Sequence, residues 1–386
     1  MSLTPVDVPP FQLQKLISEV VDSHIFERSA DSSLGQIQVS CAQALGSEIY
    51  VGCSNGNLLR FALHDSGDKL QSYTLLSGQT IPGDKPIDDI VLIPSLSRAL
   101  ILSDSQVSFY TIPSLDPCPI KPIRHVLAFA VDDHHLKRPP PSAAPAGINL
   151  PLDSVDFCIV KRTGIALYTL KERLVYLKDI PLPPNHGTTL ARRAGPYLCL
   201  AGKTDYNIVN LEAASLLPFL PISQAETTPS FVKPSITIVS PSEFLILSWM
   251  GASTLGVFMT GDGDPVRGTL EWPQHPEAIS LDYPYITSLL PNGTIEIHSI
   301  ETQALIQVIP APPASGLTSK ATSPVRSATH QRLSSVGSTR SVRSPLPTSV
   351  EPSKRTNILS SAGGYLVPST EKLDKMRRVP VKLVRT

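Results

Sequence analysis

Residues 50–63 read YVGCSNGNLLRFAL: an apolar run, an Asn55-Gly56 turn, and a second apolar run from Leu58. Asn-Gly is a strong hairpin signal, because the tight primed turn needs positive φ at both central positions. The same unit recurs along the chain. Runs 99–103 and 107–112 flank Asp104-Ser105, runs 157–160 and 165–170 flank Thr163-Gly164, and runs 197–201 and 206–211 flank 203–205. Runs 244–249 and 255–259 flank Gly251, runs 285–290 and 294–300 flank Pro291-Asn292-Gly293, and runs 358–361 and 365–367 flank Gly363-Gly364. Turn-to-turn spacings of 49, 59, 41, 46, 42 and 70 centre on the ~40–50 residues of one four-stranded propeller blade.

Seven units predict an all-β, seven-bladed β-propeller. Intervening apolar segments such as 88–93, 126–131, 174–180 and 278–281 supply the remaining strands. The last unit offers only two clear strands, which would leave sheet edges unpaired. The segment 11–21 is therefore expected to pair beside it and close the ring. Two spacings are long because of insertions, about 132–152 and 311–354. Both are rich in Pro, Ser, Ala or Arg, and such segments bury too little apolar surface to offset their ordering entropy. The expected domain is 11–368, with disorder in both insertions and a basic C-terminal tail over 369–386.

Of 386 residues, 41% are hydrophobic, enough for a large core, and 38 are proline. That is about twice the usual proline content and argues for frequent turns over helices. The formal charge is zero, but 13 of the 33 basic and only 3 of the 33 acidic residues lie from Ala311 onward. An acidic body thus carries a basic end, a split that suits a partner or an anionic surface. Cys41, Cys53, Cys118, Cys158 and Cys199 form no C-x-x-C pair, a pattern read as reduced thiols. The amino end lacks a secretory signal pattern, and the most apolar window, 236–259, is broken by Pro241 and Glu243. The reading is a cytoplasmic protein.

No catalytic constellation emerges. Gly202-Lys203-Thr204 lacks the upstream glycine of a phosphate-binding loop, since Tyr197 holds that position, and the turn joins strands rather than opening a helix. Gly261-Asp262-Gly263-Asp264 lacks the distal glutamate of a calcium loop and reads as a turn. Asp132-Asp133-His134-His135 has metal-binding atoms, but no third ligand group lies nearby in sequence. His298 alternates with Ile297 and is expected to face outward. An acidic body without basic strands and interleaved aromatics excludes nucleic-acid readout. No catalytic, cofactor-binding or metal residues are assigned, no cofactor is expected, and the protein is read as a non-enzyme.

The insertion at 311–354 holds the candidate modification sites. Ser323, Ser334, Ser335, Ser341 and Ser344 stand within three residues of an arginine or before proline, where phosphorylation would remove roughly 1.5 to 2 units of positive charge each. Two readings stand for this insertion: an unconstrained linker, and a contact with anionic lipid or an acidic partner that phosphorylation weakens.

The stretch 50–58 resembles the opening of citron homology (CNH) domains. Leu255-Gly256-Val257-Phe258, Leu270-Glu271-Trp272, Tyr283-Pro284-Tyr285 and Ile295-Glu296-Ile297-His298-Ser299-Ile300 resemble their closing blades. Within that group the chain is similar to the family of the TGF-β receptor-associated protein and fungal vacuolar-sorting tether subunits. That resemblance implies a CORVET-type endosomal tethering subunit, peripheral on endosome or vacuole membranes, whose partners are other tethering subunits and a GTP-bound Rab-family GTPase. It also implies that the chain is the amino-terminal part of a longer protein continuing into a helical solenoid. Two alternatives are a HOPS-type late-endosome or vacuole tether, and a regulatory CNH domain of a kinase or Rho exchange factor. Met1 opening the chain directly disfavours the last.

Overall fold

The computed structural model describes residues 11–15, 37, 39–65, 71–140, 153–184, 186–225, 232–311, 359–361, 364–368 and 373–378. The architecture is an all-β propeller built from four-stranded antiparallel sheets. Strand β1 is Phe11–Lys15. The first blade is β2 (Val39–Leu45), β3 (Glu48–Cys53), β4 (Asn57–Asp65) and β5 (Gln71–Thr80), and the second is β6 (Ile87–Ile93), β7 (Arg98–Ser103), β8 (Gln106–Thr111) and β9 (Ile123–Arg124). The third is β10 (Ala128–Val131), β11 (Val155–Lys161), β12 (Gly164–Leu170) and β13 (Leu174–Pro181). The fourth is β14 (Leu190–Ala194), β15 (Tyr197–Ala201), β16 (Asp205–Asn210) and β17 (Ser215–Pro221). The fifth is β18 (Ile236–Ser240), β19 (Glu243–Trp249), β20 (Thr254–Thr260) and β21 (Leu270–Trp272). The sixth is β22 (Ala278–Asp282), β23 (Tyr285–Leu289), β24 (Ile295–Ser299) and β25 (Leu305–Ile309).

Those six blades carry described side chains. A further sheet, in the order β1-β28-β27-β26, is described by backbone alone: β26 is Leu359–Ser361, β27 is Gly364–Pro368 and β28 is Leu373–Arg378. In it Phe11 pairs with Arg378 and Lys15 with Asp374, antiparallel. This sheet differs from the sequence expectation in two ways. The hairpin around Gly363-Gly364 joins the first and second strands rather than the central pair. The stretch read as a basic tail from residue 369 contains a strand, β28, paired on both sides. Its sequence, LDKMRR, sets charges in adjacent pairs, so the two-residue apolar alternation that marks a strand is missing.

In the first six units the central hairpins fall where the turn signals put them: β3–β4, β7–β8, β11–β12, β15–β16, β19–β20 and β23–β24 are each antiparallel neighbours. Their strands are buried on both faces, as in Ile49 through Cys53 and Phe157 through Val160. A lone hairpin cannot bury two faces, so each sheet stacks on the next and the core is a series of layers between blades. Phe109 of blade two meets Phe157 of blade three edge-on at 6.4 Å. Tyr206 of blade four packs with Phe244 of blade five, and Trp272 of blade five with Ile286 of blade six.

Four of the outer strands share one irregularity. Register shifts against β5, β13, β17 and β25 occur at Arg60/Phe61, Leu167/Tyr168, Tyr206/Asn207 and Ile297/His298. A bulge twists an exposed edge away from further pairing, which protects a ring whose every blade ends in an open strand.

Two expectations are corrected. The insertion at 132–152 is ordered over its first part. Asp132 caps a one-turn helix, α1 (Asp133–Leu136), accepting from the His134 N–H. His298 does not face outward: it is 4% exposed, against the edge of Trp272 at 5.2 Å between ring centres. Alternation predicts a polar outer face, but in a propeller the other face of the strand meets a neighbouring blade.

Candidate interaction surface

One end of the ring is built from the central turns and the connections between blades. Gly56, at φ 79, closes the first turn by donating to the Cys53 carbonyl at 3.1 Å. The chain leaving each of the first four blades returns to that blade's own turn. Ile81 N–H donates to Gly56 O at 2.9 Å, Val126 to Ser105 O at 2.8 Å, Leu182 to Thr163 O at 3.2 Å and Ile222 to Thr204 O at 2.7 Å. Turns and connections therefore share one rigid face, the usual place for loops that bind.

Between the inner strands lies a cavity of about 620 Å³, and its charged lining includes Asp88, Asp89, Arg192 and Lys233. Asp88 and Asp89 sit at a bulge where β6 shifts register against β7. Burial pushes the Asp89 carboxyl above its usual range, and the Arg192 charge opposes that shift. Lys233 Nζ donates to Glu277 O at 2.9 Å. These residues escaped the sequence reading because short inner strands look like ordinary core segments, and only ring closure brings blades two, four and five together.

The cavity's cysteine is not activated. Cys41 lies beside the cavity, but burial pushes its thiol far above the usual range, the opposite of what a nucleophile needs. The other buried thiols behave alike, Cys53 rising to about 12 and Cys158 to about 11, both chiefly through burial.

The Asp132–His135 cluster is occupied by the fold. Asp132 accepts from the Gly195 N–H at 3.2 Å and lies 3.8 Å from the Arg193 guanidinium, which is also 3.9 Å from Asp156. His135 Nδ1 accepts from the Asp156 N–H at 2.9 Å. These bonds tie α1 to the seam between blades three and four. Among the described residues no group of three His, Cys, Asp or Glu side chains could hold a metal ion. Gly261 through Asp264 form a turn, with Gly263 at φ 92 and Asp262 accepting from the Tyr197 hydroxyl at 3.0 Å. Gly202 lies in the β15–β16 turn and donates to Asp205 O at 2.9 Å. Ser323, Ser334, Ser335, Ser341 and Ser344 lie outside the described residues. Among the described residues no helix is long and apolar enough to cross a membrane.

Stacked four-stranded antiparallel sheets around a central cavity define a β-propeller. The chain belongs to the CNH domain family, which matches residues 46–320. It is 24% identical over 282 residues to transforming growth factor-beta receptor-associated protein 1 of Mus musculus, covering 71% of this chain and 30% of that one. It is also 23% identical over 321 residues to vacuolar protein sorting-associated protein 3 of Saccharomyces cerevisiae, covering 78% of this chain and 27% of that one. The chain thus spans under a third of these relatives' length. Among solved structures, the AfRom2 CNH domain aligns with a TM-score of 0.50 at 18% identity, over 90% of this chain and 96% of that one. The Neurospora crassa Pan2 WD40 domain aligns with a TM-score of 0.55 at 10% identity, over 89% and 90%. Both likenesses concern the fold.

Proposed function

We propose that this chain is a seven-bladed CNH propeller, closed by its N-terminal strand, that serves as a non-enzymatic interaction domain of an endosomal tethering-complex subunit. On this reading β26 is the inner strand of the closing blade, since it neighbours both β2 and β22, and β1 is its outer strand. The domain spans about 11–378, because β28 completes that blade.

The observation that carries the functional reading is the joint similarity to receptor-associated protein 1 and to a vacuolar sorting protein. Rigid turns around a cavity without catalytic groups suit protein recognition. In this reading the domain engages a GTP-bound Rab-family GTPase and other subunits, is peripheral on endosomal or vacuolar membranes, and promotes tethering. Phosphorylation at Ser323, Ser334, Ser335, Ser341 and Ser344 weakens a contact between the basic insertion and an acidic partner or anionic lipid.

The test is a pull-down against nucleotide-locked endosomal, vacuolar and Rho-type GTPases. GTP-dependent retention of an early-endosomal Rab supports the CORVET-type reading. A late-endosomal Rab alone moves the assignment to a HOPS-type tether, and a Rho-type GTPase alone removes the tether reading. For the insertion, equal flotation of the chain with and without 316–353 on anionic vesicles would end the lipid version.

A further inference from the structure

A groove of about 480 Å³ opens between blades two and three, away from the central cavity, lined by Arg98, Cys118, Pro119, Ile120, Lys121, Glu172, Arg173 and Leu174. Its volume falls within the ~300–1,000 Å³ of small-ligand and peptide pockets. Half-buried Cys118, Ile120 and Leu174, which belong to the edge of the core shared by the two blades, supply apolar lining. Three cations border it, against one carboxylate, Glu172.

That balance is local, because before Ala311 the chain has 30 acidic and 20 basic residues. Lys121 and Arg173 are exposed, while Arg98 is half-buried. The Arg98 NH1 donates to the Ser97 carbonyl at 3.2 Å, but its Nε is buried and makes no hydrogen bond. That nitrogen is closed off from the groove, so a carboxylate there would meet the other nitrogens of the guanidinium.

We propose that this groove binds a partner-protein peptide whose apolar side chain sits on Ile120 and Leu174, with flanking carboxylates paired to Arg98, Lys121 and Arg173. Recognition runs through side chains. The adjoining edge strand β13 leaves Val175, Tyr176 and Leu177 about half exposed, yet its bulge opposite Leu167 and Tyr168 blunts simple strand addition.

The test pans a random peptide library displayed on phage against the full 386-residue chain, then measures the selected peptides by fluorescence anisotropy. The expected winners carry at least two acidic residues around an apolar one. Their Kd rises at least about tenfold in the Lys121→Glu and Arg173→Glu variants, and it also rises with added salt. Both residues are exposed, so these variants should keep the parent melting temperature. Arg98→Gln should weaken binding similarly, and if it unfolds the exposed pair decides alone. Failure to select any binder, winners without acidic bias, or unchanged Kd in the exposed variants would overturn the proposal. So would binding of phosphatidylserine vesicles, but not of peptides, that is lost in the same variants, because that assigns the groove to lipid.

Discussion

Gly256 packs directly against Trp272: a Cβ at position 256 would lie 2.7 Å from Cζ3 of the indole and 3.0 Å from Cη2. The glycine has no positive φ, so the close approach, not the backbone conformation, requires it. Trp272 cannot yield, because its Nε1 donates to Ser288 Oγ at 2.7 Å across the seam to blade six. Gly256→Ala should therefore destabilise the fold by about 1–3 kcal/mol, as overpacking does. Denaturant titration of Gly256→Ala, Trp272→Leu and the double variant checks this; strictly additive losses would show that the two positions are not in contact.

The acid limb of stability should carry the mark of His298. Burial lowers its pKa from 6.5 to about 4. Neutral imidazole is thus favoured in the folded state, and unfolding takes up a proton between those two values. The contribution is full above pH 6.5, falls as pH drops through that window, and levels off below about 4. Its upper size is about 3 kcal/mol. His298→Gln should flatten the dependence of unfolding free energy on pH between 6.5 and 4; a parent-like slope in the variant would assign it elsewhere.

Arg193 stands between two carboxylates at the seam of blades three and four, 9% exposed beside Asp132 at 5%. Its removal leaves the buried Asp132 carboxylate with backbone N–H donors but no counter-ion, a loss of up to about 3–5 kcal/mol. Arg193→Met should lower stability by that order, and Asp132→Asn in the same chain should restore part of it. Chemical denaturation of both variants measures the difference.

Strand β1 covers an edge of β28 that would otherwise be open. Deleting residues 1–15 should lower the melting temperature by at least about 5 °C, the equivalent of one to a few kcal/mol for a domain of this size. It should also promote association through the bared edge. Calorimetry and light scattering on the truncated chain test both, and an unchanged transition would remove β1 from ring closure.

The hairpins were legible because each is a local event. Asn55-Gly56 and Asn292-Gly293 mark the turns in the residues themselves, although only the glycines, at φ 79 and 82, take positive φ, so the expected primed turn is not the one formed; the runs beside them are long enough to bury. Gly52 and Gly256 were visible as motif letters, but their reason was not: Gly52 leaves room for Cys41 on its paired strand and for Ile87 of the next blade. The same holds for Asp132, read as the start of an unstructured insertion. Its partner Arg193 lies on the next blade, and no spacing rule links them.

Sequence by itself determined that this chain is a succession of small antiparallel sheets with CNH-type strand motifs, since turn propensity and strand period act within a few residues. The tertiary structure decided which faces are buried, turning His298 inward, recruiting β28 between β27 and β1, and drawing Asp89 and Arg192 to one cavity and Arg98 and Arg173 to one groove. Those outcomes depend on contacts between blades, and such contacts exist only once the sheets have stacked.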